Sequence, residues 1–147
     1  MEEERFRELV QEAWEQVPPV WAQKMDNVAL LVEDEPGEDI RREEGLLAHD
    51  SLLGLYHGIP LTERGDAYGT GMTLPDTISL YRIPILEEAH DCMRAQPVNE
   101  HTQEGFDAVV RTVIQETLWH EIGHYFGHGE AHLMDREDEG SNEFRDT

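Results

Sequence analysis

His120-Glu121-Ile122-Gly123-His124-Tyr125-Phe126-Gly127 places two imidazoles four residues apart with a carboxylate directly after the first. On an α-helix, residues four apart share a face and stand about 6 Å apart along the axis, so both ring nitrogens can reach one ion at about 2.0 Å. This HExxH spacing makes a metal-ligand pair without bringing distant chain together. Glu121 is turned roughly 100° from His120 around the helix, so it flanks the ion where a water would lie and suits a general base. Upstream, Phe106, Val110, Val113 and Thr117 fall on one stripe that runs into His120 and His124. That periodicity predicts a long helix from near Gly105 whose core-facing seam carries the ligands.

Gly127 stands three residues after His124, where a helix can end and the chain turn back. Such a turn brings Glu130 beneath the metal, and carboxylate oxygen binds Zn²⁺ at about 2.0–2.2 Å. Glu130 therefore ranks first as third ligand, with His132 and His128 as competitors after a helix break. Were the helix to continue through Gly127, His128 would stand about 12 Å along the axis from His120, out of reach of the same ion. Two imidazoles with an oxygen donor suit Zn²⁺, the expected cofactor. His49, His57, His90 and His101 show no ligand spacing and read as surface or hydrogen-bonded residues. Glu116, one turn before His120, is either an acceptor for an imidazole N–H or an exposed helix glutamate. Tyr68, Tyr81 and Tyr125 are candidates to stabilise a tetrahedral intermediate, with plain packing as the simpler reading.

The 147 residues, 38% of them hydrophobic, fit one compact domain with one core. Eleven Lys and Arg against 33 Asp and Glu give a formal charge of −22, a field that repels phosphate backbones and anionic membranes. Nucleic acid and membrane are therefore excluded as expected partners, and most of this acid reads as solvated surface. Cys92 is the only cysteine, so neither an intrachain disulfide nor a cysteine-rich zinc knuckle can form, which fits a reducing compartment. The acidic start Met1-Glu2-Glu3-Glu4-Arg5 lacks the basic and apolar pattern of a signal peptide, and no apolar run approaches the ~20 residues that span a bilayer. A cytoplasmic monomer acting on a peptide or protein is the expectation.

Phe6, Leu9, Val10, Ala13, Trp14 and Val17 recur at helical spacing, marking an amphipathic helix that ends before Pro18-Pro19. Trp21, Met25 and Val28 extend a second short helix, and Val28 to Val32 reads as a buried strand stopped at Glu35-Pro36-Gly37. Residues 38–50 read as loop or frayed helix, Leu52 to Leu61 as an irregular strand, and Gly65 to Gly71 as a loop. Thr77 to Ile83 alternates apolar and polar residues, predicting a half-exposed strand whose far end Pro84 makes an edge or a stop. A short helix is expected over Glu87 to Ala95, and a loose acidic tail beyond about residue 134.

With these residues assembled, the chain resembles the small bacterial zincin-like proteins known as minimal zincins or minimal metzincins. The likeness spans nearly the whole chain through Phe6-Arg7-Glu8-Leu9-Val10, Met25-Asp26-Asn27-Val28-Ala29 with Val32-Glu33-Asp34-Glu35-Pro36, Leu52-Leu53-Gly54-Leu55-Tyr56 with Ile59-Pro60-Leu61-Thr62, and Leu74-Pro75-Asp76-Thr77-Ile78 with Leu80-Tyr81-Arg82. It implies an α+β fold in which a small mixed sheet packs on the active-site helix, and a zinc metallopeptidase activity of unestablished substrate. His120 and His124 match the family's ligands and Glu121 its base. Glu130 departs from the aspartate or histidine common there. The methionine turn of metzincins has no clear counterpart, since Met134 lies only four residues past Glu130 and Met72 lies far upstream.

Two functions follow. In a peptidase the metal activates water and Glu121 takes its proton, with the Thr77–Ile83 edge pairing to an extended substrate. In a binding module, the crowding of His128, Glu130 and His132 closes the fourth coordination position, and a closed site cannot activate water.

Overall fold

The computed structural model describes residues 1–25, 27–58 and 76–127. Glu130, His132, His128, Tyr68, Met72 and Met134, with the expected 65–71 loop and the acidic tail, lie outside the described residues. The elements in order are α1 (Glu3–Glu15), α2 (Pro19–Ala22), β1 (Val28–Glu33), α3 (Glu38–Glu43), β2 (Gly54–His57), β3 (Asp76–Tyr81), α4 (Arg82–Arg94), a 3-10 turn at Val98–Glu100, and α5 (Gln103–Tyr125).

Helix α1 follows its apolar stripe: Phe6, Leu9, Val10 and Ala13 are buried, and Glu3 and Glu4 in the first turn complement the positive end of the helix. Pro19 opens α2, where a missing N–H costs nothing. This helix ends at Ala22, short of the extension expected through Met25 and Val28. The charged stretch after Gly37 forms α3, with Glu38 and Asp39 in its first turn and Arg41 and Arg42 in its last, each sign placed where the helix dipole favours it.

The sheet is mixed, with strand order β1-β3-β2. β1 runs parallel to β3 from Val28↔Asp76 to Glu33↔Tyr81, while β2 runs antiparallel from Gly54↔Leu80 to His57↔Thr77. The expected α+β class therefore holds, and two expectations fail: β1, expected as a buried strand, has no buried residue, and β3 is the central strand, neither an edge nor half-exposed. Ile78 and Leu80 are fully buried, Tyr81 is 1% exposed and Ser79 9%, because α4 and α5 both pack on this strand. Pro84 gave the misleading signal. It occupies the first turn of α4, where its N–H is dispensable, so it starts a helix and marks no strand edge. For the same reason α4 begins at Arg82, ahead of the expected Glu87.

Phe6 and Leu9 from α1, Ile78 and Leu80 from β3, Ile85 from α4, and Val110, Ile114, Leu118 and Ile122 from α5 share one buried cluster. Full burial of such a side chain is worth roughly 1.5–3 kcal/mol against exposure. This cluster sets α5 in place. The helix starts where Thr102 Oγ1 accepts the Gly105 N–H at 3.0 Å. It ends at Tyr125, and Gly127 just beyond adopts a left-handed φ of 82° and donates its N–H to the His124 carbonyl at 2.9 Å, in line with the helix stop expected at this glycine. Among the described residues, no helix is long and apolar enough to cross a membrane.

Candidate metal centre

The last two turns of α5 carry His120, Glu121 and His124. Their ligand atoms all lie within 4.8 Å of one another, with the imidazoles half-buried and the carboxylate buried. The two rings meet edge to face, centroids 5.0 Å apart and planes at 78°. Rotation of half-buried imidazoles over this span can bring both nitrogens onto one ion. Two imidazole nitrogens one helical turn apart are a donor pair that suits zinc, so the residues present fit a metal.

Glu121 is only 7% exposed, and its Oε1 accepts the Tyr56 N–H at 2.7 Å. The sheet register explains this contact. The Tyr81 N–H donates to the Leu53 carbonyl at 2.9 Å, which makes that facing pair hydrogen-bonded. Pairs then alternate along an antiparallel ladder, so Tyr56, opposite Ile78, points its N–H away from β3. The outer amide of β2 thus becomes a fixed donor for a buried carboxylate, a charge-assisted bond that holds the second oxygen in one orientation.

Gly54 lets the strand approach this closely. A Cβ at Gly54 would stand 2.8 Å from Thr117 Cγ2 and 3.0 Å from the Ser79 carbonyl oxygen. Thr117 lies one turn of α5 before Glu121, and its hydroxyl donates to the Val113 carbonyl at 2.7 Å. Strand β2 and helix α5 form the walls of a cleft of about 740 Å³ that holds His120, Glu121 and His124.

Glu116 lies on the cleft wall and is exposed. Cys92 also lines the cleft. Burial and then the neighbouring Glu88 push its thiol above the ordinary range, disfavouring the thiolate that a ligand or nucleophile must be. Tyr125 is buried and donates its hydroxyl to the Lys24 carbonyl at 3.0 Å, and Tyr81 is buried in β3. Both match the packing reading. His57, His90 and His101 are exposed. His90 stacks on Phe106 with centroids 4.5 Å apart, and the His101 ring nitrogen lies 3.0 Å from the Gln96 carbonyl. Sequence reasoning missed Tyr56, because nothing in spacing ties a strand residue to a helix carboxylate 65 residues later.

A small mixed sheet laid against a helix that presents an HExxH pair is a zincin-like arrangement. The sequence profile of the zincin-like metallopeptidase family matches residues 25–140, and the chain belongs to that family. The likeness noted in the sequence is thereby borne out at the level of the family. Among solved structures the chain is similar to a conserved hypothetical protein from T. thermophilus, with 27% identity, 84% of this chain and 92% of the other covered, and a TM-score of 0.47. No curated protein matches the chain.

Proposed function

We propose that the protein is a zinc-dependent peptidase in which His120 and His124 hold the metal, Glu130 completes the ligand set, and Glu121 is the general base. The observation that carries this reading is the Tyr56 N–H to Glu121 contact of 2.7 Å beside two imidazoles whose ligand atoms lie within 4.8 Å of the carboxylate. A carboxylate that merely solubilised the helix would point to solvent; this one is buried and oriented at the metal pair. When bound, zinc supplies Lewis acidity toward a peptide carbonyl and lowers the pKa of water. Glu121 takes the proton from the attacking water and delivers it to the leaving amine. The Tyr56 amide orients that carboxylate.

An extended peptide or protein segment as substrate would lie in the cleft beside His120 and Glu121, and not along the Thr77–Ile83 edge expected from sequence, because β3 is the central strand.

Glu121→Gln tests the mechanism. With zinc content unchanged by elemental analysis, hydrolysis of an unstructured peptide library should fall by at least about 100-fold. Wild-type rates in the zinc-loaded variant would remove Glu121 from the reaction. X-ray absorption at the zinc edge tests the ligand set: three protein donors with one open position fit the peptidase, four do not.

A further inference from the structure

Asp76 is a buried carboxyl that the reading above leaves without a task. It opens β3 at 3% exposure and does not line the cleft. Its backbone is fixed, because its N–H donates at 3.0 Å to the carbonyl of Asn27, a residue held at a left-handed φ of 61° at the turn into β1. A carboxyl so deeply buried is unfavourable unless hydrogen-bonded, and the Tyr56 hydroxyl donates to Asp76 Oδ2 at 2.7 Å. Gly58 closes over the same carboxyl, where a Cβ would stand 2.4 Å from Asp76 Cγ.

The residue that bonds Asp76 is the one whose amide bonds Glu121. The Tyr56 side chain is confined twice: its hydroxyl by Asp76 on the sheet, and its ring by Tyr125 on α5, edge to face with centroids 5.9 Å apart. Tyr125 lies one helical turn after Glu121. With ring and hydroxyl fixed, a side chain of two rotatable bonds leaves its own backbone little freedom. A shift of the Tyr56 amide by a few tenths of an ångström would lengthen the 2.7 Å bond and let the Glu121 carboxylate turn.

We propose that Asp76 is a positioning residue: through the Tyr56 hydroxyl it sets the place of the Tyr56 amide, and through that amide the orientation of Glu121. The inference rests on the reading of Glu121 as the base, but its first test does not need catalysis. In metal-free ¹⁵N-labelled protein, Glu121→Gln displaces the Tyr56 amide resonance and identifies the signal of the charge-assisted bond. Tyr56→Phe and Asp76→Ala are expected to move that resonance in the same direction. They should also speed its hydrogen exchange by roughly tenfold while the Leu9 and Ile114 amides exchange as in wild type. Asp76→Asn keeps an oxygen acceptor for the hydroxyl, so it should restore most of the shift and protection.

In zinc-loaded protein, Tyr56→Phe and Asp76→Ala should each lower kcat on peptide about tenfold with KM within about twofold, while Asp76→Asn should keep most of the wild-type kcat. An unmoved Tyr56 amide in Tyr56→Phe overturns the proposal, and so does faster exchange spread equally over all amides, which would mean a merely structural bond. Should Asp76→Ala fail to fold, Tyr56→Phe and Asp76→Asn decide by the same comparison. Should the wild-type protein hydrolyse no peptide, the peptidase reading fails, and the amide measurements still decide the role of Asp76.

Discussion

Replacing Gly54 by alanine should push β2 off helix α5. The new Cβ would lie 2.8 Å from Thr117 Cγ2, 3.0 Å from the Ser79 carbonyl oxygen and 3.2 Å from Leu80 Cδ2. Carbon atoms pack best at about 3.5–4.0 Å, so the strand must move by roughly 0.7 Å. Neither main neighbour yields easily, since Thr117 is buried with its hydroxyl tied to Val113 and the Ser79 oxygen belongs to the central strand. Overpacking of this kind costs about 1–3 kcal/mol. Restricting the unfolded chain returns about 0.4–1 kcal/mol of that. A net loss of about 1–2 kcal/mol corresponds to a fall of about 3–6 °C in Tm for a chain of this length. Displacement by the same amount stretches the Tyr56–Glu121 bond beyond about 3.2 Å, the limit of a good N–H···O contact. The assay is thermal unfolding of metal-free Gly54→Ala, Thr117→Ser and the double variant. Thr117→Ser removes Cγ2 and keeps the hydroxyl, so the double variant should recover at least about half of the Gly54→Ala loss. A Gly54→Ala cost below about 0.5 kcal/mol, or strictly additive costs in the double variant, would refute the close approach as the reason for this glycine.

Other perturbations address the metal, the core and pH. His124→Ala should weaken zinc binding by roughly 100-fold or more in a chelator competition while leaving the helical circular dichroism of the metal-free protein unchanged; unchanged affinity would place the metal elsewhere. Phe6→Ala should cost about 3–5 kcal/mol in chemical denaturation, because a fully buried ring would leave a cavity between α1 and α5. Burial first, and then nearby Glu33, raise the Tyr81 phenol above its usual 10.0. A raised folded value means that its contribution to stability is complete below pH ~10 and is lost as pH climbs through the folded value. Ultraviolet titration should show at least one phenol ionising late, a late component that Tyr81→Phe diminishes together with the alkaline loss of stability; a titration unchanged by Tyr81→Phe would contradict this.

The metal pair was legible because its geometry is local. Four residues of one helix fix the relation of His120 to His124, and Gly127 fixes where that helix stops. Helix α1 was legible for the same reason, as its stripe repeats at helical spacing. The place of β3 was not, since Pro84 serves equally well as a strand stop and as a first-turn helix residue, and only the packing of α4 decides between them. Helix α3 fell between loop and helix because it has no buried residue and rests on charges matched to its ends. The Tyr56 donor was hidden more deeply: it depends on which way one amide of an antiparallel ladder points, a parity set by register and invisible in composition.

The sequence separations within the site bear on how it assembles. His120 and His124 are brought together by one turn of helix, an event of about a microsecond or less. The Tyr56–Glu121 bond spans 65 residues, and it requires β2 to sit on a central strand that also pairs in parallel with β1, the kind of non-local pairing that slows folding. The topology therefore separates the two halves of the site in time. A nascent α5 already carries a pair able to capture metal, while the carboxylate beside it gains its fixed orientation only when the sheet closes.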